Sequence, residues 1–185
     1  MDIVFKLPDL RQLQGIGDEI DKVTKYAGVS YLNHFKQAFR DGGFTDEVLE
    51  PWPGRDFTAG TKQRATLVNT GGLRRSLSLA HGQARFTITS AVPYAKLHNE
   101  GGRVRITRKM RKLFWALHFK AKKGNRLVEA DYYKSLALAK GKYFNVPRRR
   151  FMGQSRVVQA KIRARLEHVM REAVRGMGDS RLSGD

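Results

Sequence analysis

Six apolar residues near the amino terminus constrain the fold most. Ile20, Val23, Ala27, Tyr31, Phe35 and Phe39 recur at intervals of three and four, so a helix would carry them on one continuous face. Asp18 is placed to cap that helix, Asp21 suits its positive end, and Gly42-Gly43 stop it. A helix of about 23 residues is a rod of roughly 35 Å. A rod so one-sided is unstable by itself and needs a sheet or a second helix against its apolar face. A second stripe lies near the other end. Ser155 is placed to cap a helix that carries Val158, Ile162, Leu166, Val169 and Ala173 on one side.

Between the two rods the period changes. Leu73, Leu77 and Leu79 alternate with polar residues, as do Phe86, Ile88 and Val92. Split by His81-Gly82-Gln83, they predict a β-hairpin over Leu73–Leu79 and Arg85–Val92 with one buried face. Tyr94–Asn99 predicts one or two helical turns, stopped by Gly101-Gly102. Val104 and Ile106 suit a strand, and Thr107 can cap a helix in which Met110, Leu113, Phe114 and Leu117 share a face. A basic turn, Lys120–Arg126, leads to a second helix around Leu127–Ala139. Tyr143–Val146 returns to strand chemistry and Pro147 closes it. Residues 1–17 read as a mixed lead-in, Phe44–Lys62 as an irregular polar loop around Trp52, and 176–185 as a frayed tail. The expected architecture is one α+β domain. Its core is 18–102 and 144–175, two long helices packed on a small, mostly antiparallel sheet, with a basic helical insert at 103–143 between two strands.

Charge narrows the partners. The formal net charge is +19, unevenly placed. Residues 1–60 hold 7 Lys or Arg against 10 Asp or Glu, and the remainder holds 29 against 7. Such a field calls for a negative counterpart: nucleic acid, an acidic membrane face or an acidic protein subunit. No apolar run approaches the roughly 20 residues of a membrane span, and Met1-Asp2 with Pro8 makes a poor signal peptide. The expectation is a soluble product that stays where it is made. The absence of cysteine removes disulfides, thiol catalysis and cysteine-based zinc sites.

Arg103–Arg126 contains ten Lys or Arg and no acid. Arg103, Arg105, Arg108, Lys109, Arg111, Lys112, Lys120, Lys122 and Lys123 could clamp phosphates while Trp115 and Phe119 stack on bases. The same residues could instead form a solvated or subunit-facing helix with Phe114 and Trp115 in the core. In the extended run Arg148-Arg149-Arg150 side chains alternate, so at least one guanidinium must turn toward protein. It would act as a tether within the domain or between subunits, with a phosphate contact as the alternative. His34, His81, His98, His118 and His168 lack the spacing of paired metal ligands. His98 sits at a glycine turn, where a helix-end hydrogen bond is the simplest role. Asp56 and Glu100 stand alone, so no two carboxylates pair for acid–base work. Thr70-Gly71-Gly72 lacks the lysine and spacing of a phosphate-binding loop and reads as a turn. Neither an enzyme nor a cofactor is expected.

Three segments in order carry a family resemblance: Leu67-Val-Asn-Thr-Gly-Gly-Leu-Arg-Arg-Ser-Leu77, Tyr94-Ala-Lys-Leu-His-Asn-Glu-Gly-Gly102 and Val146-Pro-Arg-Arg-Arg-Phe-Met-Gly153. Set between two long helices, they resemble the tailed-bacteriophage virion-morphogenesis family, also called tail-completion or neck proteins. The family pattern falls on Thr70, Gly71, Leu73, Arg74 and Ser76, then Tyr94, Ala95, His98 and Gly101, then Pro147, Arg149, Phe151 and Gly153. Arg150 stands where the family usually has proline, and the insert is longer than in many members. The resemblance implies a structural virion protein without catalysis, assembled in the host cytoplasm as a homo-oligomeric ring, usually a hexamer, at the head–tail junction. It implies contacts with other neck, portal-side or tail-tube proteins, no membrane, and at most non-specific contact with DNA in the channel. It supplies no active-site residues. The reading that charge keeps open beside it is a basic nucleic-acid-binding protein, a packaging or regulatory factor.

Overall fold

The computed structural model describes residues 1–6, 17–54, 66–68, 70–139 and 143–182. Asp56 and the whole of the expected loop beyond Gly54 lie outside them. The fold is α+β. Helix α1 (Gly17–Asp41) buries all six residues of the first stripe. It lies across a three-stranded antiparallel sheet of order β1 (Asp2–Lys6), β5 (Arg85–Ser90), β4 (Leu77–Gly82). Tyr31 of α1 packs its ring 5.9 Å from that of Phe86. At Gly28 the helix packs tightly on β4: a Cβ there would sit 2.9 Å from the His81 ring and 3.0 Å from Leu79. The final helix, α6 (Arg156–Leu182), packs chiefly along α1 rather than on the sheet. The layers are therefore sheet, α1 and α6, with Val158 joining the common core.

Four expectations need correction. First, the mixed lead-in holds a strand that sequence reasoning did not single out: Asp2–Lys6 pairs antiparallel with β5, Ile3 opposite Ile88. Its apolar run is too short to show a period by itself. Second, Phe44–Lys62 does not begin as loop. Strands β2 (Gly43–Thr45) and β3 (Leu49–Pro51) form a hairpin that buries Phe44 and leads to buried Trp52. Third, Leu73–Ser76 is not strand. Gly71, at φ +72, opens the helical turn α2 (Gly72–Arg75), and the strand starts at Leu77. Leu73 and Leu77 stand four apart, a spacing that alternation and a helical turn both satisfy. Both are buried. The hairpin then turns at Gln83-Ala84, one residue past the expected place, with Ala84 at φ +49. Fourth, Ser155 does not cap α6. Its Oγ donates to the Thr45 carbonyl at 2.9 Å, while Asp46 Oδ1 accepts the Arg156 amide at 2.8 Å. The cap thus comes from the β2–β3 tip. α6 itself runs to Leu182.

The insert folds on itself. Strands β6 (Gly102–Arg105) and β7 (Tyr143–Val146) pair antiparallel at its root, and α4 (Arg108–Lys123) packs on α5 (Leu127–Leu138). Thr107 caps α4 as expected, its side chain accepting from the Met110 amide at 3.2 Å. Leu113 departs from its expected face. Met110, Phe114 and Leu117 turn partly inward, but Leu113 is 54% exposed.

Candidate functional site

The three motif segments meet. Helix α3 (Ala95–Glu100) buries Ala95 completely and ends at Gly101, whose φ of +74 turns the chain toward β6. Asn99 is 6% exposed, and its Oδ1 accepts two backbone amides, Phe151 N–H and Met152 N–H, each at 2.9 Å. The Arg149 amide donates to the His98 carbonyl at 2.8 Å. The two backbones approach so closely that a Cβ at Gly101 would lie 2.9 Å from the Arg148 nitrogen. Asn99 stitches the second segment to the third, and sequence reasoning passed over it. Its only signal was a polar residue beside the glycine turn.

The three arginines divide their roles. Arg149 is buried and donates from Nε to the Pro53 carbonyl at 3.0 Å and from Nη2 to the Gly54 carbonyl at 2.8 Å. It is a tether within the domain, acting on carbonyls. Arg150 lays its guanidinium 4.2 Å over the Phe44 ring and donates to the Gln154 carbonyl at 2.6 Å. The Arg150 carbonyl accepts the Trp52 indole N–H at 2.6 Å. A Cβ at Gly153 would collide with the Arg150 guanidinium at 2.6 Å, so the glycine makes room for it. Phe151 is fully buried against Phe39, Pro147 is half-buried after β7, and Arg148 is exposed.

In the first segment Ser76 Oγ donates to the Leu73 carbonyl at 2.7 Å and pairs with Ser90 Oγ at 2.8 Å, fastening α2 to β5. Arg74 is half-buried on α2. Thr70, Gly71, Leu73, Tyr94, His98 and Arg149, drawn from all three segments, line one cleft of about 260 Å³. His98 Nδ1 is buried there without a hydrogen-bond partner. Burial, and secondarily the Arg149 charge, hold the His98 pKa below its ordinary 6.5. A neutral imidazole beside a committed guanidinium offers shape and polarity at this cleft. His34 is likewise held below 6.5 by burial, with a ring nitrogen 2.8 Å from the Thr45 carbonyl. Glu100 is exposed.

The basic residues of the insert do not act as one set. Arg103 and Arg105 are exposed on β6. Arg111 is half-buried and donates to the Ala137 and Ala139 carbonyls at 3.0 and 3.2 Å. It satisfies the end of α5, a structural role that removes it from the partner-facing set. Arg108, Lys109, Lys112, Lys120, Lys122 and Lys123 are exposed on α4. Trp115 is half-buried and stacks on Phe119 at 5.9 Å, and Phe119 is 61% exposed. Among the described residues no group of three His, Asp or Glu could hold a metal ion, and no helix is long and apolar enough to cross a membrane. Compared with models of protein families, with curated proteins and with solved structures, the chain matches none.

Proposed function

We propose that this chain is a structural virion protein of a tailed bacteriophage, a ring-forming neck subunit that joins tail to head without catalysis. One observation carries the reading. The segments that bear the resemblance, spread over residues 67–153, come together at one cleft, and a hydrogen-bonded node joins the second to the third. Phe151 and Met152 of that node lie in one core with α1, the sheet and Val158 of α6, and the insert carries exposed basic and apolar side chains. Rigid shape with a charged arm is the equipment of an assembly subunit. The test is electron microscopy of lysates from a phage deprived of this chain. Filled heads and separate tails are expected, and joined infectious particles would refute the reading. Reversing the charge of Arg108, Lys109 and Lys112, all exposed, should leave folding intact and block joining.

A second reading, nucleic-acid binding, is favoured by the lysines of the exposed α4 face beside Phe119. It separates on salt. A DNA binder loses affinity linearly in log–log terms as salt rises. An assembly subunit forms a multimer, or stays monomeric until it meets its partner, and retains DNA only weakly and non-specifically.

A further inference from the structure

At about 100° per residue, Leu113, Lys120, Lys109, Ala116, Lys123, Lys112 and Phe119 fill one arc of roughly 120° on α4. All seven are exposed, Leu113 at 54% and Phe119 at 61%. On α5, Leu127 at 58%, Val128 at 76% and Leu138 at 56% are exposed as well. Lysines alone would suit water or phosphate. Aliphatic side chains this exposed suit protein, because nucleic acid offers them little to pack against. The occupant should therefore be apolar and acidic together.

The chain itself displays such a surface. At the β2–β3 tip, residues 46–50 are Asp-Glu-Val-Leu-Glu, with three acids and no base. Val48 is 76% and Leu49 43% exposed, and Glu47 and Glu50 are exposed beside them. Asp46 and the Arg156–Glu47 pair fasten the tip to the start of α6, which holds the knob in a fixed place. We infer that the exposed face of α4 docks on the β2–β3 knob of a second copy, with Leu113 and Phe119 against Val48 and Leu49 and the lysines against Glu47 and Glu50. The two surfaces are different parts of one chain, so the contact is head-to-tail and propagates, closing into the ring of the assembly reading where the rotation between copies allows it. This inference rests on the assembly reading above and adds its interface.

The chain has no cysteine, so single thiols report without background. Val48→Cys chains are mixed with Phe119→Cys chains under mild oxidation and resolved without reductant. The mixed pair should exceed either homodimer at least tenfold, and a V48C/F119C chain should give a ladder with a discrete upper limit. In parallel, E47K/E50K and K112E/K120E chains should each lose self-association at least tenfold and recover it when mixed with one another. Homodimers equal to the mixed pair, no cross-link, or no recovery on mixing would overturn the inference. The lysate experiment is independent of these thiols. Heads and tails that stay apart without the protein, together with a failed cross-link, would sink this interface and leave the neck reading standing.

Discussion

Asn99→Ala is the sharpest perturbation of the node. The substitution strips one acceptor from two buried amides, Phe151 N–H and Met152 N–H. An unsatisfied buried donor costs about 1–3 kcal/mol. Water reaching one of the two would soften the loss, so a total of about 3 kcal/mol is expected. For a domain of this size that lowers Tm by roughly 6–12 °C. Asn99→Asp keeps the acceptor and should lose less than half as much, despite the charge it buries. Urea melts followed by circular dichroism give the free energy. Hydrogen exchange gives the local readout, with the amides of Phe151 and Met152 losing protection first. A loss below about 0.5 kcal/mol, the range of ordinary surface substitutions, would show that Asn99 does not stitch the segments together.

Three further outcomes follow from particular contacts. Asp46→Ala removes the cap of α6 and should cost about 1 kcal/mol, with Asp46→Asn recovering most of it in the same melts. Gly101→Ala forces a side chain onto a backbone at φ +74 and against the Arg148 nitrogen. It should cost more than the roughly 1 kcal/mol of a left-handed alanine alone, and a neutral result would contradict the close approach. The third concerns pH. His98 and His34 have folded-state pKa values below 6.5, so below 6.5 the unfolded chain takes up protons first. Stability is therefore full above 6.5 and falls as pH drops. His98→Gln should flatten that slope without abolishing it, because His34 contributes the same sign, and an unchanged slope would remove His98 from the account.

The long elements were legible because their signals are local and repeated. The α1 stripe contains six positions at one period, all of them buried. Thr107 as a cap and Gly101 as a stop each depend on backbone geometry within a few residues. What escaped depends on distance. β1 exists because β5 offers it an edge 79 to 87 residues away, from Lys6 opposite Arg85 to Asp2 opposite Thr89. Ser155 was the best local cap for α6, yet Asp46 took the role from 110 residues away. In the candidate site, the alternation rule asks for at least one of the three arginines to turn toward protein; Arg149 is buried, and Arg150 lies over the Phe44 ring. The rule could not show that carbonyls rather than carboxylates would receive Arg149. Arg111 was grouped with the partner-facing charges because composition does not reveal a helix end waiting across a hairpin.

A cryo-electron microscopy reconstruction of the head–tail junction in purified virions tests the central claim most directly. The account predicts a closed ring of identical copies, each fitting the sheet–α1–α6 body, with the α4–α5 arm of one copy resting on the β2–β3 knob of the next. A junction fully built from other proteins, with this chain absent from the particle, would contradict it.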